Sequence, residues 1–277
     1  MATPLPRDPA ALAEYGQRPF QFAGETRTVY TRGEGPGVIV MAEVPGITPK
    51  VVAFADRVVE RGFRVWLPDL FGEPGRPPSP LYMGQIIAKA CVAREFTVLS
   101  RGQRSRVTEW LRALARAMHA ERPDDPGVGA VGMCLTGNFA LAMALDPCMQ
   151  APVLSQPSLP FAVTPAHAGA VHLDPGELER VAARCREEDL TVLGLRFTHD
   201  FMCPARRFAS LRESLGPHFE GIEIDSSRGN PHGNPLSAHS VLTEHLVDED
   251  GHPTRRALDR VLELFEAKLR PAKQARA

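Results

Sequence analysis

The clearest chemical content of the chain lies in Gly132-Met133-Cys134-Leu135-Thr136-Gly137. A short apolar run at 128–132 leads into this stretch, and an apolar helical pattern at 135–145 leads out of it. A cysteine between a buried strand and a helix sits on a tight turn with unfavourable backbone angles, the setting in which a nucleophile is presented. Strand and helix can close on each other there only if the flanking positions are small. The turn also sets the sulfur at the positive end of a helix dipole, which favours negative charge. Such a thiol can attack a carbonyl carbon and form a thioester. The Leu135 N–H would then help to hold the oxyanion. Thr136 departs from the pattern: a β-branched residue stands two places after the cysteine, with Gly137 next to relieve the crowding. The competing reading of Cys134 is a cysteine packed behind a strand, because free cysteines are often fully buried.

A nucleophile of this kind needs a base, and the base needs an acid to orient it. After a strand-to-helix nucleophile, the acid and then the histidine follow later in the chain. Asp200 stands just past LTVLGLRF, in Thr198-His199-Asp200-Phe201-Met202-Cys203-Pro204. His239 stands after FEGIEI, in Ser237-Ala238-His239-Ser240. Both fall beyond the carboxyl ends of strands, where open parallel sheets hold their ligands. His232 shares the last loop and stays open as the alternative base, its other reading being a surface turn residue. His199 precedes the acid directly, and His245 and His252 read as exposed loop residues. Cys203 reads as a packing residue, although a thiol so close to the site could be oxidised together with Cys134. Glu43 follows the first buried apolar run. A carboxyl at a buried strand end is costly unless paired; the alternative is a solvated loop acid.

Positioning these groups falls to alternating apolar runs and amphipathic stretches. Strand patterns lie at 37–42, 63–67, 128–132, 152–155, 190–197 and 219–224. Helical patterns lie at 51–61, 107–120, 135–145, 177–187, 205–215 and 254–269. An extended segment at 20–31 precedes them, and 81–103 reads as helix followed by irregular chain. Such alternation predicts an α/β fold, a mostly parallel sheet with helices on both faces. The predicted organisation is an N-terminal arm at 1–19 and a single domain at 20–277.

Composition narrows the partners. With 277 residues and 43% hydrophobic residues the chain can bury a large core without disulfide staples. A formal net charge of -1 favours neither nucleic acid nor an anionic membrane surface. The five cysteines, Cys91, Cys134, Cys148, Cys185 and Cys203, form no CxxC pair, which argues against a disulfide framework or a zinc ribbon. A reducing cytoplasm fits that usage. The first residues, MATPLPRDPAALAEYG, lack the pattern of a secretory signal, and no apolar run approaches a membrane span. No metal or cofactor is implied, and no strand is followed by the GxGxxG of a dinucleotide site.

At the motif points the sequence resembles the dienelactone hydrolase family. That family carries a GxCxGG elbow, and GMCLTG stands at 132–137. It carries an acid with a proline four residues on, matched by Asp200 and Pro204, and a histidine-serine pair, matched by His239-Ser240. It also carries a glutamate after the first core strand, matched in Ala42-Glu43-Val44-Pro45-Gly46, and Pro68-Asp69-Leu70-Phe71 is similar too. The resemblance spans residues 37–269 and is weaker between 75 and 125. It implies an α/β-hydrolase fold and a Cys134-His239-Asp200 triad. It adds the Val44 N–H as partner of Leu135 in the oxyanion hole, and gives Glu43 the role of accepting the thiol proton on substrate binding.

The expected activity is hydrolysis of a carboxylic ester or lactone, with a small-molecule substrate and a monomer or homodimer as the working unit. The alternative keeps the fold without turnover, as a binding or thiol redox-sensing protein. Family members acting on the small anionic dienelactone place an arginine shortly after the catalytic histidine. Here Ser240-Val241-Leu242-Thr243-Glu244-His245 has none, leaving Arg94, Arg101, Arg206 and Arg207 as candidates. Neutral, more apolar substrates are therefore expected.

Overall fold

The structure, a computed structural model, describes residues 9–79, 81–86 and 106–270. Its strands are β1 (Gly16–Phe22), β2 (Glu25–Arg32), β3 (Gly37–Met41), β4 (Arg64–Pro68), β5 (Val128–Met133), β6 (Met149–Ser155), β7 (Val192–Phe197) and β8 (Phe219–Ile224). The longer helices are α1 (Pro49–Glu60), α2 (Arg106–Ala120), α3 (Gly137–Met143), α4 (Pro175–Glu188), α5 (Ala205–Leu215) and α6 (Pro253–Leu269). The strands form one sheet in the order β1-β2-β4-β3-β5-β6-β7-β8. β1, β2 and β4 pair antiparallel, and every pair from β4 to β8 is parallel.

β3, β5 and β7 are buried at every residue, as strands covered on both faces must be; β3 and β5 are apolar throughout, and β7 departs from that only at Arg196. Val38 and Val40 face α1 and α6, where Phe54, Val58, Val261 and Phe265 pack. Ile39 and Met41 face the other layer, with Trp110, Leu114, Phe139, Val181 and Phe208 from α2 to α5. The switch of face from one residue to the next is the two-residue period of a strand. The predicted α/β architecture therefore forms. The extended segment at 20–31 is instead two strands. Ala23 and Gly24 take φ of 50° and 82°, which reverses the chain in two residues. β1 begins at Gly16, so Gly16 to Pro19 pair with Thr28 to Thr31 rather than hanging free. Residues 81–86 are helical; the remainder of that segment, with Cys91, Arg94 and Arg101, lies outside the described residues. No helix among the described residues is long and apolar enough to cross a membrane.

One half-buried histidine with shielded ring nitrogens is expected to make the fold sensitive to acid. His172 packs on Phe139 of α3, and neither ring nitrogen has a hydrogen-bond partner among the described residues. Burial, then the nearby Arg207, lowers its pKa from 6.5 to about 4. The unfolded chain thus takes up this proton before the folded chain does. Stability is complete above the unfolded value and is lost as pH falls toward the folded one, by about 2 kcal/mol near pH 5. His172→Asn, which tolerates the left-handed backbone at φ 66°, is expected to flatten the acid side of the urea midpoint against pH. An unchanged curve would assign that acid sensitivity to another group.

Candidate active site

β5 runs into a 3-10 turn, Cys134–Thr136, and on into α3. Cys134 is left-handed, with φ 56°, which is strained for a residue bearing a Cβ. The turn is tight enough that a Cβ on Gly132 would stand 2.0 Å from the Thr136 carbonyl oxygen. A Cβ on Gly137 would stand 2.7 Å from Pro157 Cα, so the close approach behind the turn is made at 137 and leaves room for the Thr136 side chain. The Thr136 hydroxyl is used rather than merely accommodated. It accepts the Met133 N–H at 2.8 Å, and the carbonyls of Met133, Met41 and Ala42 lie at 2.9, 3.0 and 3.3 Å. Two of those three acceptors belong to the exit of β3.

Asp200 and His239 arrive from the next loops. One Asp200 oxygen accepts the Met202 N–H at 2.9 Å, and the other meets His239 Nδ1 at 2.7 Å. Buried Arg196 donates to the carbonyls of Thr198 and Cys203, at 2.9 and 2.8 Å, and so clamps both sides of the acid turn. The opposite nitrogen of His239, Nε2, is buried and interacts with Cys134. That approach falls short of a well-aligned hydrogen bond. Burial acts to lower the His239 pKa, but the Cys134 sulfur and the Asp200 carboxylate outweigh it and hold the ring well above 6.5. His232 is exposed, sits edge-on to His252 with ring centroids 5.5 Å apart, and does not line the cavity that holds Cys134 and His239.

Glu43 is buried, as a paired strand-end carboxyl rather than a solvated loop acid. Ser240 Oγ donates to it at 2.6 Å, Gln156 Nε2 at 3.2 Å, and the Thr243 hydroxyl completes the set. Burial raises its pKa above the usual carboxylate value, against the pull of Ser240 and Thr243. The Cys134 thiol is not among its partners. Gln156, fully buried just past β6, also accepts from Ser155 Oγ and, at 3.3 Å, from the Val241 N–H. Sequence reasoning missed Gln156, Ser240 and Thr243 as members of this network. His245 and His252 are corrected from the exposed loop residues expected. His252 is buried at the start of α6, and His245 is half-buried, with Nδ1 facing the backbone of His239 and Ser240.

The cavity beside Cys134 measures about 580 Å³, its opening included. Val44, Pro45, Pro78, Met83, Phe161 and Met202 make its apolar wall, Leu135 lies next to the thiol, and the charged members are Glu43, His239 and Glu244. Among the described residues no lysine or arginine lines it. Arg206 is exposed, outside the wall. Arg207 is fully buried and donates to the carbonyls of Pro157, Pro160, His167, Ala170 and Met202. The Val44 N–H has no acceptor among the described residues. Cys148, Cys185 and Cys203 are buried away from solvent. Burial above all pushes the Cys185 thiol up to about 11, the Cys148 thiol to about 12 and the Cys203 thiol higher still.

Comparison with solved structures returns this architecture. A dienelactone hydrolase-like promiscuous phosphotriesterase from metagenomic libraries, P91, superposes with a TM-score of 0.60 at 16% identity, covering 92% of this chain and 98% of that one. A 2,6-dihydroxy-pseudo-oxynicotine hydrolase gives 0.58 at 17% identity, over 95% and 72%. Dienelactone hydrolase from Anabaena variabilis gives 0.56 at 15%, over 93% and 100%. These likenesses show the α/β-hydrolase fold. A search of curated proteins gave no match. The sequence profile of the dienelactone hydrolase family matches residues 25–269, and the chain therefore belongs to the dienelactone hydrolase family of hydrolases.

Proposed function

We propose that the chain hydrolyses carboxylic esters or lactones through Cys134, His239 and Asp200 and a thioester acyl-enzyme. The observation that carries this reading is the left-handed Cys134 on the turn between β5 and α3, with a His239 bonded to Asp200 at 2.7 Å on the same cavity wall. His239 holds the thiol proton as an imidazolium while the sulfur adds to the carbonyl carbon. The N–H groups of Leu135 and Val44 hold the oxyanion. Collapse of this adduct expels the alkoxide, which takes the proton from His239 and leaves a thioester. His239 then takes a proton from water as the oxygen attacks the thioester. The sulfur departs, the acid is released and the thiol proton is restored. Asp200 keeps the ring oriented and stabilises its cationic form throughout. Glu43 can assume the thiol-proton role implied by its family position only if its carboxyl or the thiol moves, since Ser240, Thr243 and Gln156 hold it and the thiol is not among its partners. In its present state it anchors the loop of His239.

The wall favours a neutral, apolar substrate. Among the described residues no lysine or arginine lines the wall to pair a substrate carboxylate, and Glu244 stands nearby. Exposed Leu81, Val163 and Phe201 lie on the same segments as the wall residues Met83, Phe161 and Met202, extending apolar surface beyond the cavity. The expected kcat/KM for a neutral p-nitrophenyl ester exceeds that for dienelactone by at least about tenfold, which is about 1.4 kcal/mol of discrimination. Preference for dienelactone would show that a cation reaches the site from elsewhere. The hydrolase reading itself is tested by rapid mixing with an activated aryl ester. A burst of product followed by sustained turnover, with the acyl group recovered on Cys134 by mass spectrometry, is the expected result. A burst without turnover would leave a reactive binding or sensing protein.

A further inference from the structure

His239 sits in the long connection between β8 and α6, where no strand or helix fixes the backbone. A second histidine supplies that restraint. His245 Nδ1 accepts the Ser240 N–H at 3.2 Å and the His239 N–H at 3.4 Å. In return the His245 N–H donates to the Ser240 carbonyl at 3.0 Å. Its ring packs edge-on against Phe197, with centroids 6.0 Å apart, and Phe197 is the last residue of the strand that leads to Asp200. One imidazole thus braces the backbone of the base against the strand of the acid.

We infer that His245 is a positioning residue for His239, a role that rests on the hydrolase reading above and requires the lone pair of a neutral Nδ1. Only a ring with its proton on Nε2 can accept at Nδ1. Protonation would set an N–H against two N–H donors and bring a second cation beside the His239 imidazolium. The groups that act on this ring are His239, Lys50, Glu244 and Asp200. Burial first, then His239, keeps its pKa below 6.5, against the opposing pull of Glu244 and Asp200. The brace therefore holds at neutral pH and fails on the acid side.

Two variants separate the acceptor from the ring. In His245→Asn the amide oxygen occupies the place of Nδ1, accepts as it does, and does not titrate. In His245→Phe the ring against Phe197 is kept and the acceptor is lost. H245F is expected to lose about 30-fold in kcat with KM nearly unchanged, the scale of a misplaced catalytic group. H245N is expected to stay within about threefold of the wild type, and to lose less rate than the wild type on acidification below pH 6.5, where the wild-type ring takes up its proton. The rate at which iodoacetamide alkylates Cys134 should follow the same order, and this readout needs no substrate. Urea midpoints check that both variants are folded. Wild-type kcat and alkylation in folded H245F would overturn the proposal, as would equal losses in H245F and H245N. If no form turns over an ester while alkylation still ranks H245N above H245F, the hydrolase reading fails and the positioning role stands.

Discussion

Replacing Cys134 with alanine is expected to lower kcat/KM for an activated ester by about 10⁴-fold or more while leaving the fold intact. The thiol is one atom beyond a Cβ that alanine retains, so the left-handed turn, Gly132 and Gly137 are undisturbed. His239, Asp200 and the two N–H groups proposed for the oxyanion remain, and any residual rate comes from them. No other described thiol can take over, because Cys148, Cys185 and Cys203 are buried and held protonated. Iodoacetamide should inactivate the wild type with the label on Cys134. Normal turnover by the folded alanine variant would sink the thioester mechanism.

The second large effect separates two histidines of one loop. His239→Ala is expected to cost about 10³-fold or more in kcat, since base and nucleophile act as a unit. His232→Ala is expected to change kcat by less than about threefold, the ordinary outcome for an exposed residue away from the chemistry. His239 meets Asp200 and lines the cavity, while His232 faces solvent against His252. Steady-state kinetics of the two variants decide the matter. The reverse ranking would move the base to His232 and leave Cys134 and Asp200 in place.

Elements whose pattern comes from burial alone are legible in the amino-acid sequence. The bounds at 205–215 coincide with α5, because Phe208, Leu211 and Leu215 recur with the period of a helix, and those at 219–224 coincide with β8, a short segment rich in Phe and Ile after a Gly-Pro turn. The hairpin of β1 and β2 is not legible, because its reversal uses Ala23 at positive φ, and alanine carries no turn signal. At the site, the convergence of Cys134, Asp200 and His239 follows from strand ends and chain order, which are local features. Gln156 and His245 escape a reading of the sequence because their roles depend on what lies across the fold. Gln156 is a polar residue after a strand until Glu43 and Val241 approach it. His245 stands between Glu244 and Leu246 with no local pattern to mark it, and gains its meaning from Phe197, which is distant in sequence and adjacent in space.

Thr136 carries one further consequence. Its hydroxyl has a single proton and, besides Met133, two carbonyls at the exit of β3 within reach of it. Leu135 lies one residue before it, and Val44 lies just beyond the carbonyls it approaches. The two N–H groups proposed for the oxyanion therefore belong to segments riveted together by a buried side chain, where glycine would leave only backbone shape. The width of the anion cradle becomes a fixed dimension of the protein. The wall residues Met83, Phe161 and Glu244 lie outside this clamp, so side chains of different bulk there would leave the gap that receives the charge unchanged. Breadth of substrate and constancy of catalytic geometry are then set by different parts of the molecule, and each can vary without the other.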